Sequence, residues 1–534
     1  METSTTPTTL LKLLDAGPAS KTAVVLPEQR VEVSYGALRA QVRELADQLT
    51  TAGISRGDRV GIALPNGLPM LVSFLAASVA GTAAPLNPAY REDEFRFYLE
   101  DTAARVLILP PHGAEEARRA AGDRLPIFTA DLDAAGMVQL VAQPLTAATT
   151  AAVGTPQGLR GEPPASSQPA ADDVALVLHT SGSTGRPKRV PLSHANMTVS
   201  AANIARCYAL GPEDVAMCVM PLFHVHGLMA STLATLSTGG TVILPARFNP
   251  LSFWRVARDF GMTWFSAVPT IHQLLLARAA DPTGRRPAGS EKLRFIRSCS
   301  AALPPRVMRA LETAFGAPVL EAYGMTEAAH QLASNPLPPA GRKPGSVGRG
   351  TNVEISIMDA HGRHVPTGKR GEVVIRGSSV ICGYENNPEA NAAAFVDGWF
   401  RTGDQGCLDA DGYLTLVGRI KELINRGGEK FSPREIDETL LAHPAVAEAV
   451  AFGVPHATWG EEVAAAVVVR EPVSEAALLA YCSERLADFK RPKQIHITDT
   501  LPRTATGKIQ RGAIAKSYGH TTKNAKAAKA AKIV

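Results

Sequence analysis

The stretch LVLHTSGSTGRPKRVPLSH, residues 176–194, joins a short apolar run to a loop of small hydroxyl residues and glycines. LVLH is typical of a buried strand, whereas TSGSTG offers hydroxyl groups and unhindered backbone N–H groups. Such a loop can surround phosphate oxygens, although an ordinary surface turn has the same composition. Both interpretations stay open until the rest of the chain is considered.

The loop differs from the phosphate-binding loop that opens a helix in many nucleotide-binding proteins. That motif has Gly-Lys-Ser/Thr after a glycine and four residues, but here Arg186 and Pro187 separate Gly185 from Lys188. The following RVPLS favours an extended segment, because proline disfavours a helix. The pattern predicts a loop between two strands, in which N–H groups, hydroxyls and Lys188 hold phosphates without a helix dipole.

Length and composition indicate a globular protein with more than one domain. The chain has 534 residues, of which 45% are hydrophobic and 20% are charged. Its net charge of +5 equals the charge of the lysines from residue 516 onward, where no acidic residue occurs. The body is therefore neutral and only the tail is basic. We expect a solvated tail and no nucleic-acid partner.

The cysteines and the termini predict the cellular setting. Six cysteines are scattered without a CxxC pair, which favours a reducing compartment and no structural metal cluster. No basic and apolar signal sequence opens the chain, and no run approaches the roughly 18 apolar residues of a membrane span. The final KIV is not a peroxisomal signal. These patterns predict a cytoplasmic protein with no membrane span.

Hydrophobic periodicity predicts an α/β fold. From about residue 30 to 350, short apolar runs alternate with helix-length stretches, which is typical of βαβ units and parallel sheets. Residues 134–172 are rich in Ala, Thr, Pro and Ser, so we expect a linker there. Between about 350 and 420, close-spaced strands with glycine turns predict a small antiparallel β-barrel-like subdomain. A compact α+β stretch then extends to about residue 515.

The predicted architecture is a large N-terminal domain and a small mobile α+β C-terminal domain. The large domain has two α/β subdomains with parallel-rich sheets and the β-barrel-like subdomain. Its predicted limits are residues 1–418, followed by a hinge region at 419–428, a lid domain at 429–515 and the basic tail at 516–534. The glycine pair in RIKELINRGGEKFSP suits a swivel between rigid bodies, although a plain linker looks the same.

Four further motifs supply the residue types that a nucleotide site needs. EAYGMTE (321–327) contains two acids, WFRTGD (399–404) ends in an acid, GYLTLVGR ends in Arg419, and LPRTATGKIQR contains Lys508. An acid can hold ribose hydroxyls, another can bind Mg²⁺, and a lysine can stabilise charge that develops on a phosphate. Each motif alone is weak evidence, because most Asp and Lys residues lie on the surface.

Together, in this order, the motifs resemble those of the adenylate-forming superfamily of acyl-CoA synthetases, nonribosomal adenylation domains and luciferases. The resemblance runs from SYGALRA at Ser34 to GKIQR at Arg511. It implies an enzyme that uses ATP, Mg²⁺ and CoA. A carboxylate attacks the α-phosphorus of ATP to give an acyl-adenylate and pyrophosphate, and a thiol then displaces AMP. In this family the small domain turns about a hinge between the two steps.

The resemblance also implies residue roles. Lys508, Thr326, Glu327 and His224 match catalytic residues, Glu327 and Thr184 match Mg²⁺ contacts, and Lys421 matches the hinge. The residues that match contacts to ATP or serve the CoA step are Thr180, Ser181, Gly182, Ser183, Thr184, Gly185, Lys188, Ser300, Ala301, Ala302, Glu321, Ala322, Tyr323, Gly324, Asp404, Arg419, Gly427 and Gly428.

Details of the acyl-binding motifs resemble oxalyl-CoA synthetases most closely. APLNPAYREDEFRFYLEDT, PLFHVHGL, YGMTEAAHQLASNPLPP and GSVGRG all read like that group, whereas phenylpropanoid-CoA ligases have Tyr where this chain has His226. FHVHGLMAS offers no Asp for an amino-acid ammonium group. The expected reaction converts oxalate, ATP and CoA to oxalyl-CoA, AMP and pyrophosphate. The substrate-binding candidates are His224, His226, Ser300 and His330.

Several alternatives remain open at this point. The substrate could be 4-coumarate, another aromatic acid or a medium-chain fatty acid, and the protein could bind nucleotides without turnover. Lys508, Glu327 and Asp404 are all present, which favours an enzyme. A second carboxylate close to a histidine would favour the charged form of its imidazole. We expect a small carboxylate as the partner, and the sequence leaves the oligomeric state undecided.

Overall fold

The structure is a computed structural model that describes residues 7–143, 168–180, 187–279, 285–504 and 507–519. The chain forms two compact units, as far as the structure describes them. Unit 1 comprises residues 1–354 and 375–400, and unit 2 comprises residues 355–374 and 401–534. This division does not coincide with the expected boundary at 418–419, so the domain limits and the hinge stay predictions.

Most strands lie in unit 1. In chain order they are β1 (Thr22–Leu26), β2 (Val31–Ser34), β3 (Arg59–Ile62), β4 (Thr82–Pro85), β5 (Ala104–Leu109), β6 (Ile127–Leu132), β7 (Val138–Ala142), β8 (Val174–Thr180), β9 (Lys188–Ser193), β10 (Val215–Cys218), β11 (Thr241–Ile243), β12 (Trp264–Ala267), β13 (Phe295–Ser298), β14 (Val319–Met325), β15 (His330–Ser334) and β16 (Arg349–Gly350).

The first sheet of unit 1 has seven strands in the order β7-β6-β5-β3-β4-β8-β9. Its inner pairs are parallel, and β8 pairs antiparallel with β9, with Thr180 opposite Lys188. Residues 175–178 of β8 are buried, as expected for the LVLH run. The prediction that the Ser/Thr/Gly loop joins two strands is therefore confirmed.

One predicted linker belongs partly to this sheet. β7 pairs antiparallel with β6 through five residues, from Phe128 opposite Ala142 to Leu132 opposite Val138. The prediction of a linker over 134–172 is wrong for this segment, because the alternation in VQLVA suits an edge strand. Residues 144–167 lie outside the described residues.

The second sheet of unit 1 has nine strands in the order β16-β15-β14-β13-β12-β10-β11-β1-β2. The strands from β14 to β1 in this order pair parallel, so their carboxyl ends lie at one edge of the sheet. β15 returns antiparallel to β14. The predicted α/β class with parallel-rich sheets is confirmed, and the segments that follow β10, β13 and β14 meet at this edge.

The remaining ten strands of the described residues form two further sheets of five strands each. In chain order they are β17 (Glu354–Met358), β18 (Gly371–Arg376), β19 (Phe395–Val396), β20 (Trp399–Leu408), β21 (Leu414–Arg419), β22 (Ile424–Arg426), β23 (Glu429–Phe431), β24 (Val446–His456), β25 (Gly460–Val469) and β26 (Gln494–Ile497). The boundaries between the two units fall within β17, β18 and β20.

The helices cover the sheets and vary widely in length. The α-helices are Leu10–Leu13, Tyr35–Thr51, Leu68–Ala80, Glu92–Asp101, Glu115–Ala121, His194–Cys207, Ala234–Leu236, Phe253–Asp259, Pro269–Arg278, Pro305–Phe315, Pro388–Ala394, Arg434–Leu441, Glu475–Ser483 and Arg511–Gly519. Short 3₁₀ turns span Leu14–Ala16, Thr326–Ala328, Ile420–Glu422 and Asp488–Lys490, and a π-helix spans His226–Leu233.

The helix Pro305–Phe315 shows how local sequence sets these elements. Pro305 occupies its first turn, where the missing N–H costs no hydrogen bond, and Gly316 ends it with a φ of 72°. Val307, Leu311 and Phe315 lie on one face and pack into the hydrophobic core beside the nine-stranded sheet. Among the described residues, no helix is long and apolar enough to span a membrane.

Gly348 in the GSVGRG motif allows the chain to pass close to β15. Its φ is +82°, and an added Cβ would overlap the backbone carbonyl of Ser334. We expect Gly348→Ala to lower the free energy of unfolding by about 2–4 kcal/mol, measured by urea denaturation. Gly211→Ala is the control, since no described atom lies within 4 Å of its added Cβ. Equal stability of the two variants would contradict this account of Gly348.

Candidate active site

A buried polar cluster lies where the parallel strands of the nine-stranded sheet end. We define the polar cluster as His226, Ser266, Arg297, Ser300 and His330. Ser266 and Arg297 are paired across β12 and β13, and Ser300 follows β13 by two residues. His330 begins β15 opposite the end of β14, and His226 begins the π-helix. Four separate segments therefore place these side chains together.

The predicted substrate-binding residues are in contact with one another. His226 Nδ1 lies 3.0 Å from Ser300 Oγ. The rings of His226 and His330 are 5.2 Å apart and nearly parallel. His224 Nδ1 accepts a hydrogen bond from the backbone N–H of His226 at 3.1 Å. The structure thus brings together all four residues that the acyl-binding motifs indicated.

The centre of the polar cluster is Arg297, a residue that sequence reasoning missed. Its side chain is fully buried. The guanidinium donates to Ser266 Oγ at 2.9 Å, to Gln331 Oε1 at 2.9 Å and to Tyr208 Oη at 2.9 Å. Its Nη2 lies 3.1 Å from His330 Nε2. Among the described residues, no carboxylate forms an ion pair with it.

This environment favours neutral histidines. Burial and then the positive charge of Arg297 hold the pKa of His330 well below its usual range, and the same two causes lower the pKa of His226. From the sequence we expect a bound carboxylate to favour a charged histidine. In the structure, burial and the charge of Arg297 have the opposite effect. At neutral pH both rings act as neutral hydrogen-bonding groups.

The backbone at the polar cluster is held in unusual conformations. Ser300 has a φ of 71° and His330 a φ of 112°, which are uncommon for residues with a side chain. At Gly324 an added Cβ would overlap the backbone carbonyl of His330, so a glycine is required there. These close approaches fix the turn between β14 and β15 and, with it, the position of the His330 ring.

Glu327, the predicted Mg²⁺ ligand, is buried and held by a second missed residue. The hydroxyl of Tyr384 donates to Glu327 Oε1 at 2.9 Å. Lys188, the first residue of β9, places its ammonium nitrogen 4.4 Å from the centre of the Tyr384 ring. A tyrosine in ICGYENN carries no signal for such a role. Tyr384 links Lys188 to the EAYGMTE motif.

These residues fit Mg²⁺ as a partner of ATP. Glu327 keeps a second carboxylate oxygen, and the described residues contain no group of three or more metal-binding side chains. Mg²⁺ usually keeps several waters and binds one or two carboxylates together with substrate phosphates. When bound, the ion would neutralise charge on the phosphates. A single oriented carboxylate that shares Tyr384 with the cation of Lys188 suits that role.

The other nucleotide candidates of unit 1 differ in accessibility. Glu321, Ala322 and Tyr323 are buried in β14, and the Glu321 carboxylate accepts the backbone N–H of Gly345 at 3.0 Å. Ala301 and Ala302 are exposed after Ser300, and Thr326 opens a 3₁₀ turn. Thr180 ends β8, whereas Ser181, Gly182, Ser183, Thr184 and Gly185 lie outside the described residues.

Unit 2 contains the remaining charged candidates. Asp404 and Arg419 are paired across β20 and β21, with Arg419 Nε 3.0 Å from Asp404 Oδ1. Lys508 keeps solvent contact, yet protein atoms around its ammonium group and then the charge of Arg419 lower its pKa, while Glu422 and Asp404 oppose this. Lys508, Asp404 and Arg419 are therefore close enough for their charges to interact. Lys421 is exposed in the turn Ile420–Glu422.

Gly427 and Gly428 form the tight turn between β22 and β23. Their φ values are 62° and 91°, and Arg426 pairs with Glu429 on either side. Two-residue hairpin turns favour such left-handed residues, so the turn itself requires the glycines. An interpretation of the pair as a swivel is therefore unnecessary. The hinge at Lys421 stays a prediction.

Comparison with known proteins identifies the family of the chain. Residues 14–385 match the model of the AMP-binding enzyme family, and residues 435–508 match that of the AMP-binding enzyme C-terminal domain. The chain belongs to this family. It is an adenylate-forming, AMP-producing acyl-CoA synthetase that uses ATP, Mg²⁺ and CoA, as the motifs implied.

Three individual proteins illustrate how similar the chain is to its relatives. An oxalate–CoA ligase of Arabidopsis thaliana is 47% identical, covering 92% of this chain and 94% of the relative. A sulfoacetate–CoA ligase of Cupriavidus necator is 39% identical, covering 92% and 94%. The crystal structure of ATP-bound MatB from Rhodopseudomonas palustris has a TM-score of 0.83 at 31% identity, covering 96% of this chain and 99% of that one.

Tyr384→Phe tests the link between Tyr384 and Glu327. The variant keeps the ring below Lys188 but removes the hydroxyl that orients the carboxylate, so we expect the Mg²⁺ concentration for half-maximal activity to rise about tenfold. Pyrophosphate release titrated with Mg²⁺ at saturating ATP measures this. Tyr413→Phe, a buried tyrosine of unit 2, serves as the control. An unchanged Mg²⁺ requirement in Tyr384→Phe would remove Tyr384 from the site.

Proposed function

We propose that this acyl-CoA synthetase activates oxalate and transfers the oxalyl group to CoA. The observation that carries the proposal is the contact between His226, Ser300 and His330 beside a buried guanidinium. Oxalate has a second carboxylate bonded directly to the reacting one. A pocket that accepts it must supply hydrogen-bond donors or positive charge within a few ångströms of the reaction centre.

The polar cluster also argues against the other substrate classes. An aromatic ring or an alkyl chain would offer no acceptor to hydrogen-bond donors of His330 and Ser300, which is costly. The likeness to an oxalate–CoA ligase supports oxalate. The likeness to a sulfoacetate–CoA ligase supports a second candidate, since sulfoacetate also carries two anionic groups. Loss of turnover is disfavoured by the presence of Lys508, Glu327 and Asp404.

We assign the ATP contacts to the residues that the family motifs indicated. Thr180 to Gly185 and Lys188 hold the phosphates, and Glu327 with Thr184 holds Mg²⁺. Thr326 contacts the α-phosphate, His224 guards the acyl pocket, and the segments 300–302 and 321–324 line the adenine. These roles follow from the matched motifs and from the described contacts of Glu327 and Lys188.

Unit 2 contributes the ribose contacts and the catalytic lysine in this proposal. Asp404 and Arg419 bind the ribose, and the Lys508 ammonium stabilises charge on the phosphate oxygens during adenylate formation. The segment at Gly427 and Gly428 serves the CoA step, and rotation at Lys421 separates the two steps. We also propose the reducing, cytoplasmic setting that the sequence predicts, in which the cysteines stay free.

Lys508→Ala should affect one half-reaction selectively. Loss of one transition-state contact should slow adenylate formation about 10²–10³-fold, whereas thioester formation from presynthesised acyl-adenylate should change far less. Pyrophosphate release measures the first step, and thioester absorbance measures the second. Lys490→Ala, which removes a lysine paired with Glu435 in unit 2, is the control. Equal losses in both half-reactions would contradict the proposed role.

A substrate screen tests the assignment of oxalate. We expect kcat/KM to be higher for oxalate than for sulfoacetate, 4-coumarate or octanoate, measured by pyrophosphate release with CoA present. His330→Ala and Ser300→Ala should each lower oxalate turnover by an amount worth about 2–4 kcal/mol, because a buried contact to a charge is lost.

The KM for ATP and a histidine of unit 2 provide the controls for this screen. The KM for ATP should change little in His330→Ala, and His361→Ala, at an exposed histidine of unit 2, should leave oxalate kinetics intact. Higher kcat/KM for 4-coumarate or octanoate would refute oxalate as the substrate. A preference for sulfoacetate would keep the dianionic class but replace oxalate.

A further inference from the structure

The guanidinium of Arg297 imposes a direction on the hydrogen bonds around it. A guanidinium has five N–H donors and no acceptor, so each partner of Arg297 must accept. Two of its partners, His330 and Ser266, lead toward the proposed substrate residues. The other two, Tyr208 and Gln331, belong to neither branch and accept at 2.9 Å each.

The first branch consists of His330 alone. Because Arg297 Nη2 donates to His330 Nε2, this nitrogen must be unprotonated. The proton of the neutral ring is then on Nδ1, and His330 offers a donor there. An added Cβ at Gly324 would lie 3.2 Å from that Nδ1. Among the described residues, no side chain or carbonyl accepts a hydrogen bond from this donor.

The second branch runs through Ser266 and His226 to Ser300. Arg297 Nη1 donates to Ser266 Oγ, whose hydroxyl proton can then donate to His226 Nε2 at 2.7 Å. The proton of His226 is consequently on Nδ1, which donates to Ser300 Oγ at 3.0 Å. The hydroxyl proton of Ser300 is left for a ligand.

The opposite direction of this branch is less favourable. If His226 Nε2 donated to Ser266, the hydroxyl proton of Ser266 would have no acceptor among the described residues. A buried donor without a partner costs about 1–3 kcal/mol. With the direction from Arg297 outward, Arg297 Nη1, the Ser266 hydroxyl and His226 Nδ1 each have an acceptor, and only the Ser300 hydroxyl is left for a ligand.

We propose that Arg297 is a positioning residue for substrate selection, which sets the proton positions of both branches so that His330 and Ser300 present donors to a substrate with a second anionic group. This inference rests on the proposed function. Arg297 is two hydrogen bonds or more from the substrate and acts through its partners. Its charge also attracts an anion, since no carboxylate of the described residues compensates it.

Arg297→Met tests this role by kinetics. With oxalate we expect kcat/KM to fall on the order of 10- to 100-fold through a higher KM, while the KM for ATP and the kcat/KM for acetate, which lacks a second anionic group, stay within about twofold. Arg297→Lys should recover part of the loss, since an ammonium also only donates. Arg294→Met is the matched control, because Arg294 precedes the same strand and pairs with Asp214.

Histidine tautomers provide a readout that a structural role would not give. In enzyme with ¹⁵N-labelled histidine, assigned with His226→Gln and His330→Gln, both rings should carry the proton on Nδ1. Arg297→Met should shift His330 toward protonation at Nε2. A wild-type spectrum with Nε2 protonated on either ring would overturn the proposal, even if Arg297→Met fails to fold.

The two proposals fail in different ways. Wild-type enzyme that does not activate oxalate refutes the proposed substrate, while the tautomers still report on Arg297. Wild-type enzyme that activates oxalate, with the oxalate-to-acetate ratio of kcat/KM and the tautomers unchanged in Arg297→Met, refutes the role of Arg297 alone. A lower ratio with shifted tautomers supports it.

Discussion

Parallel pairing between β12, β13 and β14 is the constraint on which the polar cluster depends. The register places Ser266 opposite Arg297, and Ile296 opposite Val319 of β14, so the three strands end at one edge. β14 then turns into β15 with Met325 opposite His330. Hydrogen bonds of the main chain therefore fix where Arg297, Ser300 and His330 meet, before any side-chain interaction is considered.

The side chains at this edge stabilise a buried positive charge. A buried guanidinium without a carboxylate is costly unless its donors are satisfied, and Tyr208, Gln331 and Ser266 satisfy them with neutral oxygens. Neutral partners leave the positive charge uncompensated, and after burial, which is the larger cause, this charge lowers the pKa of His330. The protein thereby keeps a field that favours an anion, and an Asp in place of Gln331 would cancel it.

Sequence reasoning predicted the fold class and the pairing of β8 with β9, and it indicated histidines that the structure places together. Strand periodicity and motif order carry this information, because they depend on local composition. Arg297 and Tyr384 escaped detection, since an arginine within an apolar strand and a tyrosine in a loop gain their roles only from register and packing. The segment 138–142 was misread because a composition typical of linkers adjoins a short edge strand. The glycine pair at 427 and 428 was ambiguous because a swivel and a tight turn both require glycine.

The two units use positive charge in a comparable way, each within its own structure. In unit 1 the uncompensated charge belongs to Arg297. We infer that the hydrogen bonds of its neighbours determine which atoms of Ser300 and His330 act as donors. In unit 2 Lys508 lies near Arg419, so that the repulsion between two cations contributes to its lowered pKa. Both arrangements cost stability in the free protein and become favourable when an anion binds, because binding restores the missing charge balance. An anionic substrate such as ATP therefore adds negative charge to a protein that holds these two cations in partly desolvated surroundings.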